Sequence, residues 1–129
     1  MSARLIQSLD HLVLTVASID ATVAFYCGIL GMERTRFGDG RTALVFGDQK
    51  INLHQAGREF EPKALHPTPG SGDLCFLSAR PLGDVIAGIE ATGTVIEDGP
   101  VARSGARGPI TSIYLRDPDG NLVEISEPA

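Results

Sequence analysis

The chain has 129 residues and a mass of 13.6 kDa, which suits one compact domain and is too small for two ordinary ones. Hydrophobic residues make up 43% and charged residues 21%, so the composition excludes a disordered or fibrous protein. A net charge of −5 and a pI near 5.0 argue against nucleic acid as a partner, because binding to phosphates needs a basic surface.

Two cysteines, Cys27 and Cys75, lack the spacing of metal ligands and are too few for a disulfide framework. Their neighbours are apolar, so we predict that both are inert, buried thiols. The first residues contain no apolar core of a signal peptide, and no apolar run reaches membrane-spanning length. We therefore expect a cytoplasmic protein with no membrane partner.

Hydrophobic periodicity predicts one strand, one helix and three strands in the first half of the chain. A Leu- and Val-rich run at 9–16 is typical of a strand, and Ser18 then has the character of a helix N-cap. The helical pattern ends at Gly31. Three further strands are predicted at 32–37, 42–46 and 50–55, with glycine-containing turns between them.

The same order recurs after a proline-containing linker at 57–72. A strand at 73–78 is followed by a helix that opens at Pro81 and runs to Gly93. We then predict a short strand at 94–97, a Gly/Arg-rich loop at 99–108, and strands at 110–115 and 122–126. The fold class is therefore α+β, a single domain over 1–129 made of two tandem βαβββ modules, at about 7–56 and 73–127.

Each predicted module carries polar, metal-capable side chains on its first and last strands. His11 and Asp73 lie on the first strands, and His54 and Glu124 lie near the ends of the last strands. Burying such groups unpaired is costly, so folding alone does not account for them.

Several segments together resemble the vicinal oxygen chelate superfamily, whose members include glyoxalase I, extradiol dioxygenases and bleomycin-resistance proteins. They are LDHLVL at 9–14, AFY at 24–26, LGM at 30–32 and YLRDPDGNLVEI at 114–125. The last is the most specific. Within the superfamily the chain is most similar to small glyoxalase-domain proteins of the virulence-associated type. The resemblance implies a cupped mixed sheet that encloses a divalent metal.

The superfamily takes its metal ligands from the first and last strands of each module. Carried onto this chain, the resemblance implies that His11, His54 and Glu124 hold one divalent ion, which is Zn, Ni, Mn, Fe or Co. Glyoxalase I enzymes generally have Glu where this chain has His54, and His where it has Asp73. Asp73 is therefore open to three interpretations: a fourth ligand, a general base or a strand-end cap.

The Gly/Arg-rich loop is the second candidate feature. Arg103 and Arg107 would clamp a carboxylate or phosphate of a substrate, because guanidinium groups bind such anions with two parallel hydrogen bonds. The alternative is a solvated basic loop without a ligand.

The leading functional hypothesis is a divalent-metal-dependent, glyoxalase-like lyase or isomerase that acts on a small vicinal-oxygen substrate. Glu124 or Asp73 would be its catalytic proton carrier. One alternative is an extradiol dioxygenase with Fe²⁺ at His11, His54 and Glu124. A second is a metal-free, bleomycin-resistance-like binding protein, which an aromatic content of only 5% disfavours. The resemblance also implies a homodimer.

Overall fold

The computed structural model describes residues 3–129, which form two helices and eight strands in the order βαβββ–βαβββ. This confirms the predicted α+β class of tandem modules. The elements are β1 (His11–Val16), α1 (Ile19–Gly28), β2 (Glu33–Phe37), β3 (Arg41–Phe46), β4 (Gln49–Gln55), β5 (Asp73–Leu77), α2 (Leu82–Ala91), β6 (Asp98–Gly105), β7 (Gly108–Arg116) and β8 (Leu122–Pro128).

The two modules have the same sheet topology. The strand order is β1-β4-β3-β2 in the first module and β5-β8-β7-β6 in the second. In each sheet the first and last strands of the module pair in parallel, and the remaining pairs are antiparallel. Side chains on these paired first and last strands therefore lie next to each other in both halves of the chain.

Each sheet has one face against a helix and one open face. Leu14 and Val16 of β1 are buried, whereas His11 and Val13 point to the other side and are exposed, as the alternation of a half-buried strand requires. Both modules contribute to one continuous core, which contains Leu14, Val16, Phe25, Tyr26, Leu44, Ile51, Leu53, Leu82, Ile89, Ile113, Leu115, Val123 and Ile125. The open faces are thus the surfaces available for a ligand.

The two helices begin differently. The Ser18 hydroxyl accepts a 3.1 Å hydrogen bond from the Ala21 backbone N–H, so it is the N-cap that the sequence predicts. Pro81, which stands at the N-cap position of α2, provides no side-chain cap. Within residues 3–129, neither helix is long and apolar enough to cross a membrane.

Strand β6 differs from the sequence prediction. The segment 94–97 is not a strand, and the supposed loop at 99–108 contains most of a strand that forms a hairpin with β7. The strand lies at the edge of the sheet and is largely exposed. An exposed edge strand pairs through its backbone and needs no alternating apolar side chains. Its Gly/Arg-rich sequence therefore resembles that of a loop.

The linker packs against the turn between β7 and β8. The Asn121 side-chain oxygen accepts a 2.6 Å hydrogen bond from the Gly72 backbone N–H, and Asp119 accepts one from the Ala17 N–H. Gly70 has φ +84°, and a Cβ there would lie 2.6 Å from the Asp119 carbonyl oxygen. Only glycine fits this crossing, so the turn connects the linker and the first module to the second sheet.

Candidate functional site

Strand register shows which residues are equivalent in the two modules. His11 lies opposite Lys50 in the first sheet, and Asp73 lies opposite Leu122 in the second. Asn52 follows Lys50 by two residues on β4, and Glu124 follows Leu122 by two residues on β8. The equivalent of Glu124 is therefore Asn52, which corrects the sequence alignment of Glu124 with His54 by two residues.

His54 lies on the open face of the first sheet, beneath the linker. Its side chain is only 3% exposed, and the ring of Phe60 packs edge-to-face at 5.7 Å. Arg41 Nη2 lies 3.3 Å from His54 Nε2. Because arginine only donates, Nε2 must accept, and the imidazole is neutral. Burial and the charge of Arg41 lower the pKa of His54, and Nε2 is not free to ligate a metal.

Glu124 lies on the open face of the second sheet at the end of a chain of hydrogen bonds. Ser112 Oγ lies 2.6 Å from Glu124 Oε2 and 2.6 Å from Ser126 Oγ, which in turn is 3.2 Å from Cys75 Sγ. Each hydroxyl has a single hydrogen, and an ionised carboxylate only accepts. Ser112 therefore donates to Glu124, and Ser126 donates either to Ser112 at 2.6 Å or to Glu124 Oε2 at 3.4 Å. In both cases Ser126 accepts from Cys75.

Cys75 corrects the prediction of a buried thiol. It is exposed on the open face, because it alternates with the core residues of β5. Cys27 is partly exposed. Partial burial raises the pKa of Cys75, and the nearby charge of Glu124 adds to the effect. The thiol therefore stays protonated near neutral pH and acts as the first donor of the chain.

A cavity of about 520 Å³ opens in front of Glu124. Arg107 lies in its wall, beside the hairpin of β6 and β7, and Leu77 and Ile110 provide apolar surface. The structure therefore brings together two predicted site residues, Glu124 and Arg107. Arg103 lies outside this cavity, where its Nε donates to the Tyr114 hydroxyl at 2.9 Å.

His11 and Asp73 line a second, smaller cavity of about 240 Å³ between the two modules. His11 Nδ1 lies 2.8 Å from the exposed Asp10 carboxylate, and Lys50 completes the charged part of the wall. Cys75 lines both cavities. The two cavities are therefore neighbours along the start of β5.

Comparison with known proteins identifies the family. Residues 8–125 match the Glyoxalase/Bleomycin resistance protein/Dioxygenase superfamily. The chain belongs to this superfamily. It is 56% identical over 123 residues to virulence protein STM3117 of Salmonella typhimurium, a match that covers 95% of this chain and 85% of that protein. It is 55% identical over 121 residues to glyoxalase domain-containing protein RDO1 of Mycosarcoma maydis, covering 94% and 68%.

Solved structures of superfamily members have the same fold. The crystal structure of STM3117 superposes with a TM-score of 0.95 at 55% identity, over 98% of this chain and 100% of that one. Lactoylglutathione lyase from Agrobacterium tumefaciens superposes with a TM-score of 0.72 at 25% identity, over 95% and 94%.

Many superfamily members use a divalent metal, but the side chains of a single copy of this chain do not fit one. Thr15 lies opposite His54, so His11 and His54 are four residues apart along paired strands, about 13 Å. Glu124 lies on the other sheet, in β8. No three His, Cys, Asp or Glu side chains of residues 3–129 form a group that holds an ion.

Sequence reasoning missed Asn52, Ser112, Ser126 and Arg41 as site residues. Alternation along the last strand does place Ser126 on the same side as Glu124, so that signal was available. Ser112 and Arg41 come from other strands, and only the pairing of strands shows that they adjoin the site.

Proposed function

We propose that this superfamily member binds a small molecule with neighbouring oxygen atoms in the cavity before Glu124, and acts on it as a glyoxalase-like isomerase or lyase. The observation that supports this proposal is the Glu124 carboxylate, which is held by Ser112 in a cavity that Arg107 also lines. An acceptor and a cation around one small cavity suit a substrate with an acidic C–H and an anionic group.

Glu124 is the proton carrier in this proposal. Ser112 fixes Oε2, whereas no hydrogen bond among the described residues reaches Oε1. In an isomerisation, Oε1 takes a proton from the carbon beside a carbonyl and returns it to the neighbouring carbon, so no co-reactant is consumed. Arg107 holds the anionic end of the substrate, and Leu77 and Ile110 exclude water from one side.

A homodimer is the second part of the proposal. Leu9 is 62% exposed, Val13 is 43% exposed and Leu77 is 69% exposed, and apolar surface of this kind is typical of a protein interface. A metal centre with His11 and Glu124 as ligands would then need donors from both copies, because residues 3–129 of one copy provide no group of three. Light scattering after gel filtration tests the dimer.

The predicted cytoplasmic location stays a prediction.

The experiment is turnover of the glutathione hemithioacetal that is isomeric with lactoylglutathione, followed by NMR in D₂O. Wild-type protein should form product with solvent deuterium, because Glu124 exchanges its proton with water, and Glu124→Gln should not. Oxygen uptake with Fe²⁺ and a catechol would instead indicate the dioxygenase. Saturable binding of the hemithioacetal without turnover, in wild-type protein loaded with metal, would indicate the binding protein.

A further inference from the structure

Arg41, the first residue of β3, contacts two aromatic rings on the open face of the first sheet. Its Cζ lies 5.0 Å from the centroid of Phe37 and 4.8 Å from that of Phe60. Cation–π contacts attract a guanidinium and restrict its orientation. The hydrogen-bonding edge of Arg41 is therefore held in place before any ligand arrives, which lowers the entropic cost of binding.

The positive charge here is not neutralised. Lys50 Nζ lies 3.9 Å from the centroid of Phe37, so two cations share that ring. None of the ion pairs found across residues 3–129 includes Arg41 or Lys50. In a chain with a net charge of −5, two unpaired cations around one ring form a local site of positive potential.

Two buried polar atoms mark the same face. In the described part of the chain, Arg41 Nε and Asn52 Oδ1 are buried and have no hydrogen-bond partner. Asn52 is 5% exposed and lies on β4, next to β3. Native proteins rarely leave a buried donor or acceptor unpaired, because the group has lost its hydrogen bonds to water and has gained none in exchange. A donor and an acceptor on adjacent strands are therefore both available to a ligand.

The surroundings favour a monoanion. His54 is neutral and accepts from Arg41 Nη2, so it does not balance the guanidinium. Glu59 lies near His54, and its Oε2 accepts from the Gly57 N–H. The charge of Glu59 repels an incoming anion, and it repels a dianion more strongly than a carboxylate.

We propose that Arg41 and Asn52 form a binding site for a small hydroxy acid. The ligand's carboxylate accepts hydrogen bonds from Arg41, and its hydroxyl donates one to Asn52 Oδ1. Phe60 belongs to the linker, is 40% exposed and has its ring 4.8 Å from Arg41 Cζ, so binding at the buried Nε requires this side chain to move. This site lies on the first sheet, and it does not depend on the reaction proposed at Glu124.

Titration of the ¹⁵N-labelled full chain with sodium glycolate tests the site, with the Arg41 Nε–H resonance as the reporter. We expect a saturable shift of that resonance, and weaker binding of acetate, which lacks the hydroxyl. Arg41→Lys keeps the charge but loses the guanidinium edge, and should weaken glycolate binding by about tenfold, or about 1.4 kcal/mol. Arg36→Gln is the matched control, because Arg36 is exposed and pairs with the core-facing Thr42.

Asn52→Leu is the second variant, and it separates loss of binding from loss of fold. It removes the acceptor and keeps the branched shape of the side chain, so glycolate should bind it no better than acetate while its amide spectrum stays dispersed. Unsaturable shifts with glycolate in wild-type protein, or equal binding by a folded Arg41→Lys variant, would overturn the proposal. Tighter binding of inorganic phosphate than of glycolate would overturn the carboxylate assignment.

Discussion

The hydroxyl of Tyr26, on the helix of the first module, donates a 2.8 Å hydrogen bond to Asp117 Oδ2 in the second. Both side chains are buried, with exposures of 0% and 5%. Asp117 Oδ1 also accepts from the backbone N–H groups of Asp119 and Asn121. Burial, followed by the charge of Asp117, raises the pKa of Tyr26. The phenol therefore remains a donor, and one carboxylate both closes the turn and joins the modules.

Tyr26→Phe should lower the free energy of unfolding by about 1–3 kcal/mol, because it leaves a buried carboxylate without one of its donors. Urea denaturation measures the change. Tyr114→Phe is the matched control: its hydroxyl accepts from Arg103, whose side chain is exposed, and we expect a loss within about 0.5 kcal/mol. Equal losses in the two variants would show that the bond to Asp117 has no special role.

Glu124→Gln should reduce turnover by about 10²–10⁴-fold while the melting temperature stays near that of wild type. Glutamine keeps an oxygen that accepts from Ser112, but it does not take up a proton at neutral pH. Glu90→Gln, on the exposed side of α2, is the control for loss of one negative charge. Full activity of Glu124→Gln would remove this residue from the proposed reaction.

Metal content separates the predicted ligands from one another. If the protein binds a divalent ion, His11→Ala and Glu124→Ala should purify with less metal than wild type, as measured by inductively coupled plasma mass spectrometry. His54→Ala should keep its metal, because His54 Nε2 already accepts from Arg41. Loss of metal from His54→Ala would contradict this assignment, and metal-free wild-type protein would contradict a resident metal altogether.

His54 should make the fold less stable in mild acid. Its pKa is lowered in the folded protein from an ordinary value of 6.5, so below that pH the unfolded chain binds more protons than the folded one. Stability then falls as the pH decreases from 6.5 towards the lowered pKa, and is fully retained above 6.5.

Urea denaturation between about pH 5 and pH 7.5 tests this slope, in the range where histidine titrates. His54→Gln should remove part of it, whereas His66→Gln, in the exposed linker, should leave it unchanged. A slope that persists in full in His54→Gln would assign the acid sensitivity to other groups.

Glu127→Ala should destabilise the protein by about 1 kcal/mol, the usual value of a helix cap. Pro81 provides no cap to α2, and Glu127 of β8 accepts a 2.7 Å hydrogen bond from the Leu82 N–H instead. Its carboxylate also lies at the positive end of the helix dipole. Thermal unfolding of Glu127→Ala beside Glu90→Ala checks this, and an unchanged melting temperature in the former would contradict it.

Most of the fold could be predicted from sequence because its signals are local. Ser18 accepts from the first turn of α1 as expected, and both modules show the predicted order of elements. Strand β6 could not be predicted, because an exposed edge strand has hydrogen bonds but no apolar pattern.

The site was harder to predict because it depends on register between strands that are distant in sequence. His54 and Glu124 occupy similar places in the two sequence repeats. The pairing of β4 with β1 and of β8 with β5 shows instead that Asn52 is the structural equivalent of Glu124. A difference of two residues keeps the same face, so alternation alone does not detect it. The contact of Arg41 with His54 depends on a third strand and is equally invisible in the sequence.

The equivalence of Asn52 and Glu124 implies a division of labour between the two repeats. One half presents a neutral amide beside two cations, and the other presents an acid beside two serine hydroxyls. Each set is carried by its own sheet, so the two repeats differ in charge although their topology is the same. A duplicated scaffold of this kind carries two chemically different surfaces on one core that both repeats share.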